Sequence, residues 1–448
     1  MIVTIPKCFR SYSLAYLTSD HTTENSSTTL FWTKLAGSAN PAIILEGYRR
    51  ESHSTQPNKF FASTAWNYNY KIDNCLRRSN IKRIMSFPSS SRPSSSTNHS
   101  RSTLDAQQIP VEIFQQILEN VPRNTLTNAA RANTSFKEVS EKLLYRQVEL
   151  TSAEQAIQCF QSIEKKPSAA QSVREVIIMI QGSRGIASSF GPYLAKALRS
   201  LTQITALHLA IEGPYLPALN GCVFPRLNTF SSIADLSPNP APLSEFLSRH
   251  PTITSLCLGG DALPIGPEPR VIPSFTLSPR ALPALTSYMG SRRLAPALVP
   301  GRPVQRVTLA WHSPNVELEV ECIIPPLAMT STPILSFSVA TPGWSSVLLR
   351  ALAAYLPKLQ LLRMHNISAD FHNEAEIYTT LSNTLASFPD LSRLELPCHR
   401  NIRTILPPAE EMAAARRWGS LAPRLQSISF PSSRAWRRVD KVTWEPMR

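Results

Sequence analysis

From Val173 onward the chain repeats one short pattern: an apolar position, two others, a second apolar position, one other, and a third. Ile204-x-x-Leu207-x-Leu209, Ile253-x-x-Leu256-x-Leu258, Leu359-x-x-Leu362-x-Met364 and Leu391-x-x-Leu394-x-Leu396 show it plainly. Val173/Val176/Ile178, Val304/Val307/Leu309, Ile334/Phe337/Val339 and Leu425/Ile428/Phe430 obey the same rule, while Leu227/Phe230/Ser232 and Leu285/Tyr288/Gly290 are degraded copies. About ten copies recur at intervals of roughly 19 to 34 residues, the irregular period of a repeat array. Several copies follow a proline, as in HPTITSL, LPKLQLL, FPDLSRL and APRLQSI. Proline drives the residue before it out of the helical region, so a preceding helix must end there and the chain turns into a strand.

Helical periodicity precedes these prolines. GPYLAKALRSL, PLSEFLSRH, SSVLLRALAAYL and IYTTLSNTLASF each carry apolar residues at three- and four-residue spacing. The unit is therefore helix, proline, strand, and stacking such units buries a continuous core that no unit could close alone. The predicted class is α/β: an irregular solenoid over residues 151–433, with parallel strands on one face and helices on the other. An ordinary α/β domain with several buried strands is the alternative. The proline-rich stretch from Gly259 to Pro303 reads as a long loop or an interrupted repeat, and exposed loops on rigid frames often carry recognition. The strand pattern resembles that of leucine-rich repeats, although the asparagine or cysteine that follows the strand in that family is mostly missing. Asn366 and Cys398 come closest.

A different pattern occupies residues 105–150. In IPVEIFQQILENV, Pro110 suits a helix start, and Glu112 places negative charge where the helix N-terminus favours it. Ile113, Ile117 and Val121 follow at intervals of four, with Phe114 and Leu118 widening the stripe, until Pro122 closes the helix. A second short helix is expected from about Leu126 through Ala132, and a third is announced by the capping-box spacing of Ser135 and Glu138, with Phe136, Val139 and Leu143 as its apolar face. Three helices within some 40 residues have little core of their own and are usually stabilised against something else.

The order Ile109-Pro110-x-Glu112-Ile113, Ile117-Leu118, Pro122, Leu126, Ala129-Ala130 and Ser135-Phe136 resembles the F-box, and LLYRQVEL (Leu143 to Leu150) resembles the exit from that motif into a first strand in fungal members. The chain departs from the pattern in having Ile109 for the leading leucine and Ala132-Asn133 where a Val-Cys or Val-Ser pair is common. What the resemblance implies is docking on the Skp-type adaptor that joins F-box proteins to a cullin scaffold in a ubiquitin ligase. Carried over position by position, Ile109, Pro110, Ile113, Ile117, Leu118 and Leu126 would supply most of the apolar contact, and the repeat array would hold an unknown target protein. Two other readings stay open. The same residues could form only the internal core of a helical bundle, and the array could be a recognition scaffold that belongs to no ligase.

Composition narrows the picture. With 38 prolines against 14 glycines, the chain is built of short, proline-ended elements rather than glycine-rich phosphate loops. Of the net charge of +15, about +8 lies before residue 105 and about +6 after residue 411, which leaves roughly +1 for the folded middle. Nucleic acid and membrane are therefore not the expected partners. Residues 1–104 read as a disordered leader, serine-rich from Ser86 to Ser102, and the part before Met85, residues 1–84, is open to being an upstream extension of the reading frame. Residues 434–448, with Arg434, Arg437 and Arg438, read as a basic, solvated tail, although Trp418, Trp436 and Trp444 have the character of residues that pack against a last repeat.

Nothing announces catalysis. Seven scattered cysteines, odd in number and without C-x-x-C spacing, argue against a disulfide frame or a zinc site and for reduced thiols. His365, His372, Glu374 and Glu376 form the densest set of metal-ligand types, at a spacing that fits no common site. The phosphate-loop, nucleophile-elbow, zinc-protease and dinucleotide signatures are absent. The longest apolar run, SSVLLRALAAYL, is too short to span a bilayer and is cut by Arg350. The expectation is an intracellular, cytoplasmic or nuclear protein that is not an enzyme, with no cofactor and no metal.

Overall fold

The computed structural model describes residues 110–132, 134–180, 190–211, 215–233, 240–259, 275–311, 315–368, 374–398 and 406–447, all within the unit Pro57–Arg448. The expected leader, residues 1–104, lies outside the described residues. So does about a third of the proline-rich stretch that follows Gly259, from 260 to 274.

The repeated pattern becomes one sheet of thirteen strands: β1 Gln147–Leu150, β2 Glu175–Ile180, β3 Ala206–Ile211, β4 Thr229–Ile233, β5 Ser255–Gly259, β6 Ser287–Ser291, β7 Arg306–Ala310, β8 Ser336–Thr341, β9 Leu361–Asn366, β10 Arg393–Glu395, β11 Ser427–Ser429, β12 Ala435–Arg438 and β13 Trp444–Pro446. Their order in space is their order in sequence, and the sheet is open, with β1 at one end and β13 at the other. Neighbours from β1 to β11 run parallel, as in the pairing of β2 with β3 and of β10 with β11. The α/β, solenoid-like stack anticipated from the repeats is thus present.

Register explains why the pattern repeats. The second apolar position of every copy falls on one continuous row, from Val148 and Val176 through Leu207, Phe230, Leu256 and Tyr288 to Val307, Phe337, Leu362, Leu394 and Ile428. Each of these side chains is 5% exposed or less. Fully burying such a side chain is worth about 1.5–3 kcal/mol, and only the neighbouring units can bury it. The helices close the other side of the core: Leu194 of the helix Phe190–Ser200, Leu247 of Ala241–Arg249 and Leu352 of Ser346–Tyr355 belong to the same buried cluster.

The two degraded copies are solved differently. Ser232 replaces the third apolar residue in β4 because its hydroxyl meets that of buried Tyr215 at 2.9 Å, while Tyr215 also donates to the carbonyl of Leu209 at 3.0 Å. Gly290 replaces it in β6, where φ is +153° and a Cβ would lie 2.1 Å from the Leu258 carbonyl oxygen. No side chain fits there.

The helix-proline-strand junction recurs with nearly one geometry. His250, Leu356, Phe388 and Ala422 each precede a proline and each sits near φ −111° to −124° and ψ +54° to +88°, outside the helical region that a following proline disfavours. The carbonyl of each then accepts the amide of the first apolar position three residues on: Ile253, Leu359, Leu391 and Leu425, at 3.0–3.4 Å. One residue before the strand, a second device links units. Thr205, Thr254, Thr286 and Ser392 donate their hydroxyls to the backbone carbonyl at the equivalent position of the preceding unit, at 3.0–3.1 Å.

The C-terminal segment departs from expectation. Residues 434–447 are not a solvated tail, because β12 pairs antiparallel with β11 and β13 pairs with β12. Their tryptophans supply the reason. Trp436 and Trp444 are 5% and 4% exposed, and Trp418, fully buried, stacks between Tyr378 and Phe430 at 5.4 and 5.5 Å. Trp436 donates its indole N–H to Glu411, so the cap is closed by a satisfied buried carboxylate.

Candidate functional site

The N-terminal helical block consists of α1 Val111–Glu119, α2 Arg123–Ala132 and α3 Thr134–Arg146. Pro110 is the N-cap of α1, its carbonyl accepting the amides of Ile113 and Phe114. Pro122 plays the same part for α2, accepting from Thr125 and Leu126, so it both ends one helix and starts the next. The second helix accordingly begins at Arg123 rather than near Leu126. The third begins at Thr134, which places Ser135 inside the first turn rather than at the cap.

The block has a small core of its own, separate from that of the sheet: Leu118, Leu126 and Val139, with Val121, Ala129, Phe136, Leu143 and Leu144 packed around them. Phe114 and Phe136 meet edge to face at 4.8 Å, a favoured aromatic geometry. This core takes only part of the α1 stripe. Val111, Ile113 and Ile117 are 55%, 45% and 54% exposed, and Pro110 is exposed as well.

The six positions that the sequence groups as one docking set therefore part company. Pro110, Ile113 and Ile117 share the open side of α1. Leu118 and Leu126, 5% and 6% exposed, are packed inside the block. Ile109 lies outside the described residues. Val111, absent from the expected set, belongs with the exposed group. The helical wheel holds no signal for it, since six residues at 100° each place Val111 about 120° from Ile117.

The block is fixed to the sheet without a linker, since α3 ends at Arg146 and β1 begins at Gln147. Arg123 on α2 donates to the carbonyls of Leu144 and Gln147, each at 3.0 Å. Arg174, just before β2, donates its amide to the Arg146 carbonyl at 2.9 Å. Two ion pairs add to this, Arg146 with Glu119 at 3.1 Å and Lys166 with Glu141 at 3.7 Å, although exposed pairs of this kind contribute about 0–1 kcal/mol. Between block and sheet lies a cleft of about 900 Å³ whose lining includes Leu118, Leu126 and Leu143 on the block and Gln171, Arg174 and Thr205 on the first units.

Other candidate chemistry is structural where it can be described. Asn366 is fully buried, its side chain accepting the amide of Ser368 at 2.9 Å, and the Cys398 thiol donates to the Pro431 carbonyl at 2.9 Å. Burial pushes the Cys159 thiol up to about 11, out of the range of a nucleophile. Glu376 accepts from Ser346 at 2.5 Å, and His372 lies outside the described residues. No helix among the described residues is long and apolar enough to cross a membrane.

No family model and no curated protein matches the chain. Among solved structures it is similar to one described as "Crystal structure of Rad7 and Elc1 complex in yeast", at 11% identity over 84% of this chain and 94% of that chain, with a TM-score of 0.32. A likeness at that level carries no argument about function.

Proposed function

We propose that the chain is the substrate-recognition adaptor of a cullin-based ubiquitin ligase of the SCF type, in which the F-box-like block docks on a Skp-type adaptor and the leucine-rich-repeat-like array holds a target protein. The observation that carries this reading is the exposure on α1, where three large aliphatic residues, Val111, Ile113 and Ile117, and a proline stay uncovered although Leu118 of the same helix is packed. Half-exposed side chains of this size gain on the order of 1 kcal/mol each when a partner covers them. Such a cluster at the outer end of a block with so small a core is suited to a permanent subunit. The reading involves no catalytic residue, cofactor or metal.

Co-expression with a Skp-type adaptor, affinity capture and mass spectrometry test it. Adaptor and cullin peptides are expected with the intact chain and absent with Ile113→Asp combined with Pro110→Ala. Capture that survives the double change rules out docking through α1.

A second reading, a scaffold outside any ligase, is favoured by the direct passage of α3 into β1, which makes the block a cap on the first unit. Deleting residues 105–150 would then cause aggregation of the array, with no ligase subunit recovered from the intact chain to begin with.

A further inference from the structure

On the last units, the face of the sheet that looks away from the core carries charge in a particular arrangement. Arg306 of β7, Arg393 of β10 and Arg437 of β12 fall on one registered row, separated by Ser336, Leu361 and Ser427. All three arginines are exposed. Arg363 of β9 lies two residues further along its strand and shares Glu395 with Arg393: its Nε is 3.5 Å from one carboxylate oxygen, and the Nε of Arg393 is 2.5 Å from the other. The same arrangement recurs at the turns that lead into these strands, where Asp390 lies between Lys358 at 3.8 Å and Arg424 at 2.5 Å. In each case one carboxylate orients two cations and leaves a positive charge over. The side chain of Arg306 makes no ion pair or hydrogen bond among the described residues, and Arg437 faces Glu445 across β13 without a salt bridge. Six cations thus meet three carboxylates, while the positions between Arg306 and Arg393 on the row are neutral: Ser336 and Leu361.

We infer that this row receives an extended acidic segment of a partner protein, lying across the strands with its carboxylates on Arg306 and Arg393. The spacing defines the ligand. Arg306 and Arg393 are three strands apart, about 14 Å at the usual separation of about 4.8 Å, and an extended chain rising about 3.3 Å per residue covers that distance in roughly four residues. Residues i and i+4 of an extended chain also point to the same side. The preferred segment therefore carries Asp or Glu at i and i+4, with small uncharged residues between them to lie over Ser336 and Leu361. Guanidinium groups already held by Glu395 lose little freedom on binding, which favours a carboxylate placed to meet them. Taking this segment for part of the ligase target rests on the proposed adaptor function, whereas the binding itself does not.

The test is fluorescence anisotropy with the full chain and 14-residue peptides of one composition, bearing two glutamates either four apart or adjacent, in a Ser/Ala/Thr background. The i, i+4 peptide is expected to bind at least tenfold more tightly than the adjacent-charge peptide and to weaken as salt rises. Arg306→Glu and Arg393→Glu should each weaken it tenfold or more, and Arg350→Glu, on an exposed helix position, should leave it unchanged. Equal binding of the two peptides, or indifference to Arg306→Glu in a protein with an unaltered melting curve, overturns the inference. So does a phosphoserine version that binds tenfold tighter than the glutamate peptide, which would make the ligand a phosphorylated one. Adaptor capture by Arg306→Glu separates the two ideas: intact capture without peptide binding removes only this inference, and peptide binding without capture by the wild-type chain removes only the ligase reading.

Discussion

Ile117 and Leu118 are consecutive on α1 and chemically alike, yet one is 54% and the other 5% exposed, which allows core and surface to be separated within a single turn. Replacing Leu118 by alanine removes a side chain from a core whose fully buried members among the described residues are Leu118, Leu126 and Val139. Leucine-to-alanine changes at such sites cost about 2–5 kcal/mol. Since about 1.4 kcal/mol is a factor of ten in an equilibrium, amides of 111–146 that exchange by opening of the block should exchange at least about 30-fold faster. Replacing Ile117 by aspartate changes an exposed helix position, where the expected cost stays within about 0.5 kcal/mol. Its effect should fall on the adaptor instead. Losing the burial of the exposed half of one isoleucine, worth about 1 kcal/mol, weakens capture by about fivefold before the cost of desolvating a carboxylate is added. Hydrogen exchange read by mass spectrometry on the 111–146 peptides, together with adaptor titration, measures both. If Ile117→Asp speeds exchange as much as Leu118→Ala, the open side of α1 is sealed in solution and the reasoning fails.

Two further outcomes concern the array. Gly290→Ala forces a Cβ to within 2.1 Å of the Leu258 carbonyl and should cost more than about 3 kcal/mol through loss of the β5–β6 pairing, whereas Gly301→Ala, at φ +74° in open space, should cost only the left-handed strain of about 1–2 kcal/mol; comparable melting temperatures for the two variants would refute this. His250 accepts the Phe224 amide on Nε2 at 2.9 Å and meets the Phe246 carbonyl through Nδ1 at 2.7 Å, so the ring is neutral and burial holds its pKa below the ordinary value. The unfolded chain then binds the proton more readily, and stability present above about pH 6.5 should fall as the pH drops below it. A His250→Gln variant should lose that part of the pH dependence in thermal melts between pH 7.5 and 5.

The strands were legible because period and burial coincide: an apolar residue in a stacked unit has one place to go, and the prolines fix where each helix must stop. Even the weak copies at Leu227 and Leu285 mark real strands. The reasons for their weakness, the Tyr215 hydroxyl and the Leu258 carbonyl, are long-range contacts that no local pattern contains. The end of the chain misled because Arg437 and Arg438 dominate a four-residue strand too short to show alternation, and only the packing of Trp436 and Trp444 fixes it. On α1 the stripe was legible, but its division was not. A helix facing two neighbours needs apolar residues on both sides, and which side has a neighbour within the same chain depends on where α2 and α3 lie.

The last strand has one more consequence. In the antiparallel pairing with β12, the amide of Met447 points inward to the Ala435 carbonyl, so by alternation the nitrogen of Pro446 faces outward, where a proline has no hydrogen to donate. A ribbon only three residues long that lacks a donor on its free rim gives an incoming strand little to zip onto. Polymerisation of copies through this rim is thereby discouraged at the level of covalent structure. Replacing Pro446 by valine would restore the missing donor and recreate a template for fibrils.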